Sequence, residues 1–445
     1  MQEEIFNRIK GKKIAILGFG MEGRSTYKFI RKFSNMPLYV LDQKDYSLDP
    51  LLKNDHNVIL KSNDYLENLD NYDLIIKAPG VVLKDINIDN IKDKITSQLE
   101  LLLEINSKNI VGITGTKGKS TTTTLIYEIF KNEGYDAYLL GNIGRPIFDD
   151  IASFKEDSIL VIEMSALQLE FVKHSPHVAI ILNLFEEHLD HAGSIKHYHE
   201  NKLNIFKYQK KDDIGIYAAD NFYLNKYVNS NNYKQEMISV STNSNTNMHI
   251  SSNYIYYKNK KLYDINSKRN LIGKCNLENI MFALAVVEIY YLKLDIALNT
   301  INNFTPLSHR LQKVGTYKNI TYYDDAIATI PEATIEAINA LKNVDTLIFG
   351  GLDRGINYQS LIDYLRGSTL SNLICMPETG TKIGNSLMTS NKKIYMCSTL
   401  EEAVKTAKVV TSPNKICLLS PAAASYNQFK NFMEKGDKFQ ELVRK

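Results

Sequence analysis

The residues best placed to do chemistry stand in one run, "GITGTKGKSTTTT" (Gly112–Thr124), between an apolar stretch, "NIVGIT", and a helical one, "TLIYEIF". Glycines let backbone N–H groups face phosphate oxygens, and the N-terminus of the following helix adds partial positive charge. In that frame Lys119 would reach the β- and γ-phosphates of a nucleotide, and Ser120 or Thr121 would hold Mg²⁺. The common form G-x-x-x-x-G-K-[ST] needs glycine at position 113, where this chain has Ile113, so the loop is a compressed variant. The plainer alternative is a Gly- and Ser-rich turn that caps a helix; strand, GKS and helix together argue against it.

A second glycine cluster, "GFGMEG" (Gly18, Gly20, Gly23), follows the apolar run "KIAIL", and Asp42 ends the next one, "PLYVLD". That is the dinucleotide fingerprint with its ribose-binding acid, a pattern that NAD, FAD and UDP-sugar sites share. A dehydrogenase needs no GKS loop, and an ordinary phosphate-loop ATPase needs no Rossmann unit ahead of it, so the two loops together narrow the options. Glu163 closes the strand-like "SILVIE", where a carboxylate suits Mg²⁺, a hard ion content with few protein oxygens. The segment "NLFEEHLDHAGSIKHYHENKLNIF" holds His188, Asp190, His191, His197, His199 and Lys202 but no H-E-x-x-H, which argues against a zinc protease. His188, directly after a strand end, could be a second metal ligand. His197 and His199 read as surface histidines on a helix, and Lys202 by default as a solvated lysine on the same helix.

The elements that must position these groups alternate between short apolar strands and helices, the pattern of α/β units built on parallel sheets. A first unit spans 1–97, a second 98–305 and a third 306–445, with a boundary near "FTPLSHRLQ". Between about 228 and 270 the chain turns Asn-, Ser-, Lys- and Tyr-rich, and the alternation in "NYIYYKNKKLYD" predicts β-hairpins in an appended antiparallel layer. "NLENIMFALAVVEIYYLKL" predicts a helix, and "NITYYDDA", "VDTLIFGG", "NLICMPETG", "KIYMCS" and "KICLLSPAAAS" predict the strands of the third unit.

Composition sets the outer limits. Hydrophobic residues at 44% and charged residues at 23% suit several globular cores. A net charge of +3 gives no ground for a nucleic-acid partner or a polybasic membrane patch. Four scattered cysteines, with no C-x-x-C pair, fit a reducing cytoplasm rather than a disulfide framework. No apolar run approaches the ~20 residues that span a bilayer, so no membrane insertion is expected.

Taken together, these residues resemble the Mur ligase family over essentially the whole chain. The family loop, G-T-[NK]-G-K-[ST]-T, matches Gly115, Thr116, Lys117, Gly118, Lys119, Ser120 and Thr121 and explains the absent first glycine. The resemblance implies an α/β protein of three domains: a Rossmann-like UDP-binding domain, a central ATPase-like domain and a C-terminal Rossmann-like domain. It implies ATP-dependent joining of D-glutamate to UDP-N-acetylmuramoyl-L-alanine through an acyl phosphate, with two Mg²⁺ ions, in a cytoplasmic monomer. Glu163 and His188 match Mg²⁺ ligands, and Lys202 falls at the family's carbamylated lysine, a carboxylate-like ligand made by adding CO₂. Asn142 (in "GNIG") and Gln168 match contacts to the muramoyl substrate, while Gly18, Gly20, Met21, Glu22, Gly23, Asp42 and Gln43 lie where the family meets uridine diphosphate. Asn276 and Asn279 ("NLEN"), with His309 and Arg310 ("HR"), resemble segments that hold adenine and phosphate, and Asp325 resembles the ribose-binding aspartate. "FGGLDRG" and "LSPAAASYNQFKNF" resemble the glutamate-binding loops through Arg354, Ser425 and Phe432, with Thr329 beside them.

The chain also departs from the family pattern. The usual D-S-K-A-T-N reads "DAIATI", so Ile327 replaces a lysine and Ile330 an asparagine; Cys275 and Arg354 replace a common histidine and lysine. L-glutamate or another acceptor amino acid therefore stands as the alternative within the same chemistry, and a non-catalytic UDP-sugar-binding regulator as the alternative outside enzymes. Both chemical steps need water excluded, so the resemblance implies closure of the third domain during turnover.

Overall fold

The computed structural model describes residues 1–83, 86–143, 145–185 and 195–445. Three sheets organise the chain. In the first, β1 (Ile14–Leu17), β2 (Leu38–Leu41), β3 (Val58–Lys61), β4 (Leu74–Lys77) and β5 (Ile95–Thr96) run parallel in the order β3-β2-β1-β4-β5. β1 is buried along its whole length, as expected of an apolar strand covered on both faces. The helix Met21–Phe33 presents Tyr27, Phe29 and Ile30 to the core, a helical rather than alternating spacing.

The second sheet has nine strands: β6 (Ile110–Thr114), β7 (Ala137–Gly141), β8 (Ile159–Glu163), β9 (Val178–Ile181), β10 (Ile214–Ala218), β11 (Glu236–Ser241), β12 (Met248–Ser251), β13 (Tyr254–Tyr257) and β14 (Lys260–Asp264). Their order is β14-β13-β12-β11-β10-β9-β6-β8-β7. The 228–270 segment departs from the expected separate layer. β11 and β12 continue the parallel sheet, and only the β12-β13-β14 ribbon is antiparallel. The third sheet, β15 (Gln312–Tyr317), β16 (Ile320–Asp324), β17 (Val344–Phe349), β18 (Asn372–Cys375), β19 (Lys393–Met396) and β20 (Ile416–Leu419), is ordered β15-β16-β20-β17-β18-β19 and is parallel apart from the β15–β16 hairpin.

Two compact units result. One comprises Met1–Ser267 and Glu278–Ile301 and holds the first two sheets; the other comprises Lys268–Leu277 and Asn302–Lys445 and holds the third. Among the described residues no helix is long and apolar enough to cross a membrane.

Candidate functional site

In the first unit, the functional groups gather where β6 gives way to the helix Lys119–Glu133. Gly118, at φ 83°, is the residue before that helix, and Gly134, at φ 97°, ends it with its N–H donating to the Phe130 and Lys131 carbonyls. Only glycine enters this left-handed region without strain, so both ends of the helix are fixed by sequence. The loop is braced from the segment just after β9. Asn183 accepts from the Lys117 N–H at 2.8 Å and donates to the Lys117 carbonyl at 3.1 Å, while its own carbonyl accepts from the Thr116 N–H. Thr116 Oγ1 in turn accepts from the Phe185 N–H. Lys119 lies back along the loop, its Nζ 3.0 Å from the Thr116 carbonyl. The loop is pre-shaped before any phosphate arrives.

Glu163 ends β8, in register with Ile113 of β6 and Gly141 of β7. Its Oε1 accepts from Asn142 Nδ2 at 3.0 Å, whereas the buried Oε2 has no hydrogen-bond partner among the described residues. A buried carboxylate oxygen left unpaired is costly, and a cation or a donor from a ligand would compensate it. Mg²⁺ fits this donor set, since it takes one or two protein oxygens and fills its octahedron with water and phosphate. Among the described residues no group of three or more His, Cys, Asp or Glu could hold a metal by itself. His188, with Asp190 and His191, lies outside the described residues.

Lys202 is not the solvated lysine that its helical setting suggests. It is 1% exposed on the helix Ile195–Lys207, and its Nζ donates to the Gly115 carbonyl at 2.9 Å, with the Tyr198 ring 4.7 Å away. His197 is half-exposed, but His199 corrects the expectation of a surface residue: it is buried beside the Tyr223 and Tyr227 rings. An apolar aromatic neighbourhood on the next helix turned that face inward. Asn279 is also buried against the loop, its side-chain oxygen standing where a Cβ on Gly118 would go. Asn276, assigned to the second unit, donates to the Ile272 carbonyl.

The "GFGMEG" turn is equally constrained. A Cβ on Gly23 would collide with the Gly18 carbonyl, and Gly18 itself sits at φ 91°. Gly20 precedes the helix Met21–Phe33, Asp42 Oδ2 accepts from the Phe19 N–H at 2.6 Å, and Met21 and Gln43 stand in solvent. Glu22 and Gln168, expected to meet different parts of one substrate, touch: Gln168 Nε2 donates to Glu22 Oε1 at 3.2 Å. Burial raises the Glu22 carboxyl's pKa, while Gln168 and the buried Lys77 pull it back.

In the second unit, Asp325 follows β16. Its carboxylate accepts from Ser420 Oγ at 2.9 Å and from the Leu311 N–H at 3.1 Å. Burial pushes its pKa up to about 7 against these hydrogen bonds. His309, at φ 61°, is buried beside Asp324, its Nδ1 2.7 Å from Asp324 Oδ2, and this bond raises the imidazole pKa. His309 is thus engaged with protein, and Arg310 is its half-buried neighbour. Phe432 packs edge-on to the His309 ring. Ser425 is buried with its Oγ lacking a partner among the described residues, Arg354 is exposed with its guanidinium 5.7 Å from the Tyr426 ring centre, and Thr329 is half-buried. Asn183, Asp324 and Ser420 escaped sequence reading. Of these, Asn183 left a signal, a lone amide inside the apolar run "VAIILNLF".

The chain is similar to known proteins over nearly all of its length. Residues 113–287 match the Mur ligase middle domain, and residues 309–423 the Mur ligase glutamate ligase domain. A UDP-N-acetylmuramoylalanine–D-glutamate ligase of Clostridioides difficile is 32% identical, over 98% of this chain and 99% of its own length. Among solved structures, UDP-N-acetylmuramate–alanine ligase of Thermotoga maritima superposes with a TM-score of 0.62 at 18% identity, covering 97% of this chain and 99% of that one. A MurF ligase of Thermotoga maritima in complex with ADP does so at 0.62 and 16% identity, covering 99% and 96%.

Proposed function

The chain belongs to the Mur ligase family, and on that premise we propose how its residues carry out the reaction. It is an ATP-dependent ligase of peptidoglycan precursor synthesis that joins D-glutamate to UDP-N-acetylmuramoyl-L-alanine. The observation that carries this reading is the similarity to D-glutamate ligases along nearly the entire chain. In this reading residues 1–97 take the UDP-sugar, 98–305 take ATP and 306–445 take glutamate. All substrates are nucleotides or amino acids of the cytoplasm, where we place the enzyme, and no role falls to a second copy, so it acts as a monomer.

The alanyl carboxylate of the UDP-sugar attacks the γ-phosphorus of ATP, forming an acyl phosphate as ADP leaves. The glutamate amine then attacks the acyl carbon, and phosphate departs from a tetrahedral intermediate as the amide forms. The loop amides from Gly118 to Ser120 hold the phosphates at the helix N-terminus, with the Thr116 and Lys117 amides bracing the loop on Asn183, and Lys119 turns from the Thr116 carbonyl to the γ-phosphate, where charge migrates in the first step. Glu163 and Ser120 would hold Mg²⁺, which would supply charge neutralisation on the phosphates. The unpaired Glu163 Oε2 supports this assignment. For a second Mg²⁺ the ligands would be His188 and Lys202; the Lys202 ammonium would first lose one proton, and the free amine would then add CO₂, forming an N–C bond and releasing a second proton, so that a cation becomes a carboxylate-like anionic ligand. Asn142 and Gln168 orient the muramoyl arm, and Gly18, Gly20, Glu22, Gly23, Asp42 and Gln43 the uridine diphosphate. Asn276, Asn279, Arg310 and Asp325 hold the rest of ATP.

Arg354 suits a bidentate grip on one glutamate carboxylate, with Thr329 helping, and Ser425 with the backbone near Phe432 suits the other. The unpaired buried Ser425 Oγ supports a ligand there. Ile327 and Ile330 remove two polar groups beside this pocket and leave L-glutamate as the second reading. The test is ADP release with UDP-N-acetylmuramoyl-L-alanine and each glutamate enantiomer. D-glutamate should turn over faster; faster L-glutamate would reverse the stereochemical assignment, and ADP with neither would remove glutamate as acceptor.

A further inference from the structure

Lys435 is one of the largest side chains fully buried in the protein, at 1% exposure, and no step of the reaction uses it. It lies on the helix Phe432–Arg444, whose first turn is capped by Asn431 Oδ1 accepting from the Glu434 N–H. Its Nζ donates to the Gly350 carbonyl at 2.8 Å, and burial pushes its pKa down to about 7. Burying an amine is unfavourable unless it gains a compensating role, because the charged form is stripped of water. Lysine in this place therefore asks for a reason beyond packing.

The reason lies in what Gly350 begins. At φ 121°, Gly350 opens the turn after β17, and a Cβ there would collide with the Met376 carbonyl. One on Gly351 would collide with the Ala424 carbonyl. The turn is therefore pressed from two sides. It is also stitched to the segment after β20: the Gly350 N–H donates to the Pro421 carbonyl at 2.9 Å and the Leu352 N–H to the Ala424 carbonyl at 2.8 Å. Arg354 follows on the first of these segments and Ser425 on the second. Phe432 starts the helix that carries Lys435.

We propose that Lys435 is a positioning residue for the acceptor pocket: its bond to the Gly350 carbonyl fixes the turn that carries Arg354 and, through the Pro421 and Ala424 bonds, the segment that carries Ser425. The inference rests on the reading of Arg354 and Ser425 as glutamate contacts. An arm that must grip one carboxylate tolerates little displacement, and a shift near 1 Å can cost about a hundredfold in rate.

The experiment compares the wild-type enzyme with Lys435→Met, which keeps the volume and removes the donor, and Lys435→Arg, which keeps a donor. Three quantities are read: the KM for each substrate, the melting temperature, and hydrogen exchange of the amides at 350–355. In Lys435→Met the KM for glutamate should rise ~10–100-fold, with the KM for ATP and for the UDP-sugar within about twofold of wild type, and the amides at 350–355 should exchange faster. Lys435→Arg should recover most of the loss. Equal losses for all substrates with a lowered melting temperature would make Lys435 a structural residue and overturn the proposal. So would a folded Lys435→Met with unchanged exchange and unchanged glutamate KM. Faster exchange with an unchanged glutamate KM would remove the acceptor assignment of this pocket, and the proposal with it, while leaving the ligase reading to stand on wild-type turnover. If Lys435→Met does not fold, Lys435→Gln carries the same comparison with the same outcomes.

Discussion

Two glycine turns, one in each compact unit, are each held from beneath by a fully buried lysine. Lys202 donates to the Gly115 carbonyl at 2.9 Å, and Lys435 to the Gly350 carbonyl at 2.8 Å. Both turns sit where a parallel strand ends, the place at which α/β sheets bind ligands. They differ in how the rest of the site is assembled. Around Gly115 the phosphate-binding groups are consecutive residues, so the strand, the glycine conformation and the helix start define their geometry together. Around Gly350 the candidate groups come from three stretches of chain, at Thr329, at Arg354 and from Ser425 to Phe432. The first kind of site is robust to change elsewhere and intolerant of change within itself. The second accommodates replacement of single side chains, as at Ile327, Ile330 and Arg354 relative to the family pattern.

The sharpest way to break this comparison is Lys119→Ala. Lys119 is only half-buried, with its Nζ on the Thr116 carbonyl, so the fold should survive its loss. ADP formation should fall by at least ~10³-fold, on the scale of losing a principal electrostatic group in phosphoryl transfer. UDP-sugar binding, measured by calorimetry, should be retained. Near-normal turnover would take the loop out of catalysis.

Lys202→Ala comes next. If Lys202 serves as a carbamate, activity should drop by two or more orders of magnitude and return in part with millimolar short carboxylic acids, which supply the missing oxygens. Loss without rescue would leave Lys202 acting through its bond to Gly115, making it the counterpart of Lys435 and the two turns alike.

Smaller effects belong to the second unit. Arg354→Ala should raise the KM for glutamate ~10–100-fold, the cost of losing a charge-assisted bidentate contact, and leave the KM for ATP near wild type. Asp325→Asn should raise the KM for ATP by about tenfold or less, because a buried carboxyl near neutrality is already partly protonated. It carries a pH signature as well. The Asp325 carboxyl titrates above its ordinary 3.8, at about 7, so the folded protein holds a proton that the unfolded chain has released. Stability from this group is therefore present at low pH and lost as pH rises from about 4 to about 7. Denaturant titrations of Asp325→Asn should lack that decline.

Legibility in the sequence followed the same division. The strands around "NIVGIT", "SILVIE" and "VAIILNLF" and the loop between the first strand and its helix were readable because local propensity and glycine conformation act over a few residues. The 228–270 segment was half-readable: the hairpin of β13 and β14 follows from alternation, but its joining to a parallel sheet depends on partners far along the chain. His199 and Lys202 were misjudged from their own helix because burial there is decided by Tyr198, Tyr223 and Tyr227 and by the Gly115 carbonyl. Asp324, paired with His309 and Gln440 Nε2, was invisible for the same reason: its partners lie 15 and 116 positions away.

The central claim is that this chain spends ATP to join D-glutamate to UDP-N-acetylmuramoyl-L-alanine. Coupled measurement of ADP and of the amide product, with each of the three substrates omitted in turn, tests it most directly. The account predicts one ADP per amide formed, no ADP without the UDP-sugar, and faster turnover with D- than with L-glutamate. ADP release that does not depend on the UDP-sugar, or amide formation without ADP, would contradict it.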